Sequence, residues 1–173
     1  MYRPRTGDLY FFPYLTGQGR CCPAARLSRD SEALFPKTDT GSRHRRTMNI
    51  ERLDHFVVTA RDLDATIAFY QRVLGMKHVL YDGQYHALHF GDQKINLHVQ
   101  GKELEPRATA PVPGSVDVCF VSADPIDLVQ KHLEACDVAI ELGPGRQVGA
   151  VGEMTSVYFR DPDGNLIEVA SYR

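Results

Sequence analysis

Leu53-Asp-His-Phe-Val-Val-Thr59 begins the part of the chain that decides its fold, and the segment from Asp62 to Leu74 follows it. The first stretch is rich in β-branched and aromatic residues, which favour a strand. The second starts at Asp62, a residue type that caps helix N-termini, and stops before Gly75, a residue typical of helix C-termini. Its apolar residues recur at helical spacing, at Leu63, Ile67, Tyr70 and Leu74. We therefore predict a strand followed by an amphipathic helix.

Three short strands are predicted after this helix, because tight-turn dipeptides separate runs of strand-forming residues. The runs are Met76–Tyr81, Tyr85–Phe90 and Lys94–Val99, and the turns are Asp82-Gly83 and Gly91-Asp92. Residues 50–100, which we call module one, thus have the predicted order strand, helix, strand, strand, strand.

The same order returns in residues 115–172, which we call module two, after a polar, proline-rich linker at 101–114. Its helix is predicted to begin at Asp124-Pro125, because Asp caps helices and proline suits the first helical position. The predicted segments are, in order, the strand Val116–Val121, a helix with apolar residues Ile126, Val129 and Leu133, the strand Ala139–Leu142, a flexible glycine-rich loop Gly143–Gly152, the strand Thr155–Arg160, the turn Asp161–Gly164 and the strand Asn165–Ala170.

The two modules also align residue by residue. Asp54–Val57 lies over Val116–Cys119, and Ile95–Leu97 lies over Ile167–Val169. One curled half-sheet cannot close a core alone, so the duplication indicates that the two modules fold together. We expect an α+β fold in which two βαβββ modules form a cupped, barrel-like mixed sheet with the helices outside.

Residues 1–47 differ from the rest of the chain in charge and composition. They carry nine basic residues against four acids, 9 − 4 = +5, whereas residues 48–173 carry eleven against eighteen, 11 − 18 = −7. This segment has four prolines and no sustained period, so we predict a disordered basic leader at 1–47 and one folded domain at 48–173. Met48, directly before the first strand, is an alternative start.

The composition also argues against several classes of protein. The net charge of −2 gives no reason to expect a nucleic-acid partner. No apolar run approaches the roughly 18 residues that a membrane-spanning helix needs, so no membrane partner is expected. The four cysteines form no disulfide framework, which favours a reducing compartment such as the cytoplasm. The Arg-rich leader leaves a mitochondrial location open.

Three polar residues stand within strands at equivalent places in the two modules: His55, Asp117 and Glu168. A carboxylate in a half-buried strand is costly unless it is paired or binds a metal. Each residue alone has a structural explanation, His55 as a hydrogen-bonded edge residue, Asp117 as a strand-start cap and Glu168 as a solvent-facing group. Together they offer nitrogen and oxygen ligands suited to Zn²⁺, Ni²⁺, Mn²⁺ or Fe²⁺.

Three motifs of this sequence resemble the vicinal-oxygen-chelate superfamily, which includes glyoxalase I, extradiol dioxygenases and fosfomycin- and bleomycin-resistance proteins. They are Leu53-Asp-His-Phe-Val-Val58, Ala68-Phe-Tyr-Gln-Arg-Val-Leu-Gly75 and Tyr158-Phe-Arg-Asp-Pro-Asp-Gly-Asn-Leu-Ile-Glu-Val169. The resemblance covers about residues 50–172. It implies paired βαβββ modules around a divalent metal, with each module supplying ligands from its first and last strands. His55 and Glu168 match that pattern directly.

Two positions depart from the pattern that the resemblance implies. The ligand on the first strand of module two is usually His, and here it is Asp117. The ligand on the last strand of module one is Glu in glyoxalase I, and here it is Asn96, whose amide cannot accept a proton as a carboxylate does. His98 points to the same face two residues on, so it is a candidate ligand or acid/base at the rim, or a solvent-facing residue. The expected metal ligands are therefore His55, Asp117, Glu168 and His98, with Glu168 also the expected catalytic base.

Other side chains are weaker candidates. Tyr85 and His89 share a face of a middle strand, with His86 between them. Arg146 lies in the glycine-rich loop, where it could close over an anionic substrate or simply be a solvated charge. Cys119 shares a face with Asp117 and is expected to be a small core residue.

Three functions remain open at this point. The first is a divalent-metal-dependent lyase, isomerase or transferase acting on a small molecule with adjacent oxygens. The second is a non-catalytic module that sequesters a small molecule in the same cleft, and the third is a scaffold for partner binding. We expect a homodimer. A fold shared by isomerases, dioxygenases and sequestering proteins does not select the reaction.

Overall fold

The computed structural model describes residues 48–173, so the expectations about residues 1–47 lie outside the described part of the chain. Both modules have the predicted order of elements. In chain order these are β1 (His55–Ala60), α1 (Leu63–Leu74), β2 (Lys77–Tyr81), β3 (Tyr85–Phe90), β4 (Gln93–Val99), β5 (Asp117–Val121), α2 (Ile126–Ala135), β6 (Leu142–Gly149), β7 (Gly152–Arg160) and β8 (Leu166–Ser171).

The strands form two separate four-stranded sheets, one from each module. The first sheet has the order β1-β4-β3-β2 and the second has the order β5-β8-β7-β6. In each, the first strand pairs in parallel with the last, and the other pairs are antiparallel. The paired βαβββ architecture is thus confirmed. The expected closure into one barrel-like sheet is not found, because the two sheets remain open.

Strand register confirms the internal alignment of the two modules. Phe56 on β1 lies opposite Ile95 on β4, and Val118 on β5 lies opposite Ile167 on β8. These are the pairs that the sequence alignment superimposes. The duplication therefore preserves the pairing of the first and last strands as well as the order of the elements.

The two helices begin differently. The side chain of Asp62 caps α1 by accepting a hydrogen bond from the Ala65 N–H, and Gly75 ends the helix with a left-handed φ of 65°. Within the described chain, α2 begins at Ile126, with Pro125 at the N-cap position and no side-chain cap, so the predicted Asp124 cap is wrong. The Asp124 backbone N–H instead donates to the Ser122 hydroxyl. Neither helix of residues 48–173 is long and apolar enough to cross a membrane.

The predicted glycine-rich loop is a β-hairpin. The segment Leu142–Gly149 forms β6, which pairs with β7 through a register shift between Leu142 and Gly145. Of the predicted strand at 139–142, residues 139–141 precede β6 and Leu142 is its first residue. The glycines of this segment predict a loop, but glycine is tolerated in a strand where another part of the chain comes close. A side chain at Gly143 would lie 2.5 Å from the Ser156 carbonyl oxygen.

Both modules contribute to one hydrophobic core. The buried cluster contains α1 and α2 residues, such as Tyr70 and Leu133, together with strand residues of both sheets, such as Ile95 and Phe159. Phe56 of β1 and Phe120 of β5 also come together, with ring centroids 6.4 Å apart. The helix-packed sides of the two sheets therefore meet within the chain.

A buried turn between β7 and β8, Asp161–Asn165, organises this meeting of modules. One Asp161 oxygen, Oδ1, accepts the backbone N–H groups of Asp163 and Asn165, both at 2.9 Å. The other, Oδ2, accepts the Tyr70 hydroxyl of α1 at 3.0 Å and the Asn165 side-chain amide at 2.7 Å. Burial and the Asp161 charge raise the pKa of Tyr70, so its hydroxyl stays protonated as a donor.

The remaining polar groups of this turn extend the connection. Asp163 accepts the Arg61 backbone N–H at 3.0 Å and the Thr66 hydroxyl at 3.2 Å, which fixes the start of α1. The side-chain oxygen of Asn165 accepts the Val116 N–H at 2.9 Å. The turn therefore joins module one to module two through satisfied, buried hydrogen bonds, an arrangement that specifies one packing.

We expect Tyr70→Phe to destabilise the domain by about 2 kcal/mol, because the change removes a hydrogen bond to a buried carboxylate and leaves the packing intact. The free energy of unfolding from urea denaturation measures the effect. Tyr85→Phe is the matched control, because Tyr85 is 45% exposed. If Tyr70→Phe and the wild type are equally stable, the Asp161–Asn165 turn does not hold the two modules together.

Candidate functional site

Each sheet has one side packed against the helices and an opposite side, which we call its open face. Val58, Ile95 and Leu97 of the first sheet belong to the core. Side chains alternate along a strand, so His55, Asn96 and His98 lie on the open face.

The first sheet places His55 and His98 in different surroundings. His55 is exposed, and its Nδ1 atom lies 2.7 Å from Oδ1 of Asp54. This hydrogen bond is the main cause of the lowered pKa of Asp54. His98 is half-buried, and its Nδ1 atom is buried without a hydrogen-bond partner among residues 48–173.

The second sheet gathers Asp117, Cys119, Tyr158 and Glu168 on its open face. Glu168 lies directly opposite Cys119 on β5 and opposite Tyr158 on β7. Burial first, and then the neighbouring Glu168 carboxylate, raises the pKa of Tyr158 to about 12. The Oε1 atom of Glu168 is buried and has no hydrogen-bond partner of good geometry in the described chain. A buried carboxylate oxygen without a donor costs free energy unless a group from outside the chain contacts it.

One chain does not bring the predicted ligands together. Within residues 48–173, no group of three or more His, Cys, Asp and Glu side chains is placed to hold a metal ion. The reason lies in the core, because the helix-packed sides of the two sheets share it and the open faces do not. His55 and His98 thus lie on one open face, and Asp117 and Glu168 lie on the other.

The open face of the first sheet contains a cavity of about 360 Å³, and β2, β3, β4 and the linker contribute to its wall. Tyr81, Tyr85, Lys94, Asn96 and His98 line it. The Tyr81 hydroxyl and Nε2 of His89 are 2.8 Å apart, and the Lys94 ammonium lies 5.4 Å from the centre of the Tyr81 ring. A smaller cavity of about 90 Å³ adjoins His98 on the side of Arg107.

Sequence reasoning missed Lys94, Tyr81 and Tyr158. Lys94 could have been found, because it shares the two-residue period of Asn96 and His98. Tyr81 could not, because its position depends on the register of β2 against β3. In the sequence Tyr158 stands out only as part of a family motif, although its side chain lies beside Glu168.

Two weaker predictions are corrected. Arg146 lies on β6, where it is exposed and forms an ion pair with Glu153, so it is not on a lid loop. Cys119 is exposed on the second open face and is not a core residue. Partial burial of its thiol, followed by the Glu168 charge, raises its pKa to about 11.

The Cys119 thiol is therefore expected to resist alkylation at pH 8.5 in buffer containing EDTA, because little of it is thiolate there. Glu168→Gln removes a negative neighbour, lowers the pKa of the thiol and speeds alkylation severalfold. Peptide mapping by mass spectrometry after timed iodoacetamide treatment measures the rate at Cys119 alone. Glu134→Gln, an exposed change on α2, should leave the rate unaltered, and an equal effect of both variants would contradict the prediction.

Comparison with known proteins places the chain in a family. The model of the Glyoxalase/Bleomycin resistance protein/Dioxygenase superfamily matches residues 52–169. The glyoxalase domain-containing protein RDO1 of Mycosarcoma maydis is 50% identical over 76% of this chain and 74% of its own length. The crystal structure of virulence protein STM3117 from Salmonella typhimurium is 48% identical, covers 73% of this chain and all of that chain, and has a TM-score of 0.72. Lactoylglutathione lyase from Agrobacterium tumefaciens is 29% identical over 72% of this chain and 96% of that chain, with a TM-score of 0.56. The chain belongs to the glyoxalase/bleomycin resistance protein/dioxygenase superfamily.

Proposed function

We propose that this protein is a divalent-metal-dependent lyase, isomerase or transferase of glyoxalase type, acting on a small molecule with adjacent oxygens. The observation that carries the proposal is the buried, unpartnered Oε1 atom of Glu168 in the described chain, beside Asp117 and Cys119 on an open sheet face. A bound cation would supply the partner that this oxygen lacks among the described residues.

The proposed ligands are His55, Asp117 and Glu168, with His98 at the rim. The surroundings of His55 fit this role. When Nδ1 donates to Asp54, at 2.7 Å, the Nε2 atom is left as the ligand, and a carboxylate is a common partner for a metal-bound histidine. The buried Nδ1 atom of His98 is also left without a partner within residues 48–173.

A homodimer completes the proposed site, because one chain carries the ligands on two open faces that do not meet. The first sheet of one copy facing the second sheet of another would bring His55 against Asp117 and Glu168. A two-fold arrangement repeats this contact and yields two equivalent sites. Unpacked sheet faces of this kind also favour burial against a second copy.

The proposed chemistry divides between the metal and the protein. A bound divalent ion would polarise the adjacent oxygens of the substrate and acidify its neighbouring carbon. Glu168 is the carboxylate that would take a proton there. Asn96 stands on β4 where Glu168 stands on β8, opposite Val57 and Cys119 respectively. Because an amide cannot take that proton, the second base of a glyoxalase I reaction is missing.

Similarity to named proteins supports this class of activity. Lactoylglutathione lyase from Agrobacterium tumefaciens shares the fold at 29% identity, and RDO1 is named as a glyoxalase domain-containing protein. The stretches Phe90–His98 and Pro111–Ser115 also resemble glyoxalase domain-containing protein 5.

The altered ligand positions favour a second candidate function. With Asn96 and Asp117 in place of the usual Glu and His, the same cleft could bind a small molecule without turning it over. Saturable binding without conversion of the bound molecule distinguishes this sequestering function from the enzyme.

We expect the purified protein to bind about one divalent ion per chain and Glu168→Ala to lose it, because the variant lacks a ligand oxygen. Elemental analysis after expression in metal-supplemented medium measures the stoichiometry. Glu134→Ala, which removes an exposed carboxylate from α2, is the control and should keep the metal. Metal retained by Glu168→Ala, or absent from the wild type, overturns the proposed site.

Mixing two defective variants tests whether the site is shared between copies. His55→Ala and Glu168→Ala should each lack metal alone. After co-refolding, random pairing makes half of the dimers mixed, and each mixed dimer carries one intact site. About a quarter of the wild-type metal content should then return. A mixture that stays empty while the wild type refolds with metal contradicts a site built from two chains.

Asn96→Glu restores the missing carboxylate, so we expect it to convert the hemithioacetal of methylglyoxal and glutathione to the thioester. A positioned general base contributes about 10²–10⁴ in rate, and a gain of at least about tenfold should be measurable. Asn96→Gln is the matched control, because it has the same length without the charge. If both variants bind metal and neither gains activity, the substrate pocket of glyoxalase I is not retained.

A further inference from the structure

The cavity on the open face of the first sheet has a charge pattern that the proposed metal chemistry does not explain. Residues 48–173 carry seven more acidic than basic residues, yet none of the eight described residues that line this cavity is acidic. Lys94 lines it and lies beyond ion-pairing distance of every carboxylate in the described part of the chain. In a domain with this excess of acidic residues, Lys94 is therefore a cation without an ion-pair partner among residues 48–173, at a concave site.

The walls of the cavity combine this cation with aromatic and aliphatic surface. Tyr81 and Tyr85 lie on neighbouring strands, directly opposite one another, and Leu104 of the linker is also part of the lining. The Lys94 ammonium lies 5.4 Å from the centre of the Tyr81 ring, and Tyr81 is itself held to His89 by the 2.8 Å hydrogen bond. The lysine is thus positioned beside a ring-binding wall. A volume of about 360 Å³ suits a small organic molecule.

The cavity also adjoins the proposed metal ligands. Lys94 on β4 lies directly opposite His55 on β1, and His98 lines the cavity wall. A molecule held at Lys94 would therefore extend toward the ligands of the first open face. The cavity and the proposed metal ligands could therefore bind the two ends of one substrate, a charged end at Lys94 and a reacting end at the metal.

We propose that this cavity binds the carboxylate of a small organic acid with a ring-sized apolar body, with Lys94 as the anion-binding residue and Tyr81 and Tyr85 as the wall against the ring. The inference names the substrate class of the site proposed above, and to that extent it rests on the proposed function. Lys94 recognises the charge, because an ammonium in a partly enclosed site favours an anion over a neutral molecule of the same shape.

Benzoate and benzamide test the proposal, because they share size and shape and differ in charge. Titrations of metal-stripped protein, followed by backbone NMR shifts at low ionic strength, give both dissociation constants. Benzoate should bind saturably, with shifts at residues 81–104, and at least about tenfold more tightly than benzamide, as one charge-assisted hydrogen bond allows. Lys94→Gln should abolish that difference, Lys94→Arg should keep it, and Lys131→Gln on α2 should leave both constants unchanged.

The proposal is overturned if the two probes bind wild type equally, if benzoate does not bind, or if Lys94→Gln retains the preference. A loss of the preference in Lys131→Gln would overturn it as well, because it would assign the effect to overall charge. Elemental analysis of the wild type separates this inference from the proposed function. A wild type that binds no metal and still prefers benzoate would refute the metal site and leave the anion site standing.

Discussion

The hydrogen bonds of Asp161 are the constraint on which the arrangement of the two modules depends. A buried carboxylate needs several donors, and it obtains them from its own turn and from the Tyr70 hydroxyl of the other module. A buried carboxylate without hydrogen-bond donors costs free energy. The need to satisfy Asp161 therefore restricts α1 and the β7–β8 turn to one relative arrangement. Hydrophobic contacts such as Phe69 against Phe159, with ring centroids 6.4 Å apart, then fill the space around that connection.

This packing has a consequence for function. It uses the helix-packed side of each sheet to build the core, so the polar side chains of β1, β4, β5 and β8 are left on faces that one chain does not bring together. The same geometry that stabilises the monomer therefore divides the candidate ligands between two surfaces. Three buried polar atoms lack partners in the described chain: Nδ1 of His98 lies on the first surface, and Oε1 of Glu168 and Oγ of Ser156 lie on the second.

Local patterns predicted the fold well, because strand alternation, the Asp62 cap and Gly75 are decided within a few residues. The shared faces of Asn96 with His98 and of Asp117 with Cys119 followed from the two-residue period alone. Closure of the sheets was predicted wrongly, because which side of a sheet enters the core depends on contacts such as Tyr70 with Asp161, across 91 positions. The strand Leu142–Gly149 was missed for a related reason, since glycine is a local signal for a turn, and whether another part of the chain comes close to it depends on the whole fold.

The charges on the two open faces limit how copies of this chain can associate. Lys77 and Lys94 lie on the open face of the first sheet, each in register with His89 on β3. Asp117 and Glu168 lie on that of the second, where the neighbouring Arg160 is already paired with Glu141 at 2.7 Å. Two first faces placed together would set lysines against lysines, and two second faces would set carboxylates against carboxylates, which is unfavourable in both cases. A two-fold dimer in which the first face of each copy packs on the second face of the other avoids both repulsions. The duplication has thus produced two similar folds with unlike surfaces, and electrostatics favours the association that would unite the divided ligand set.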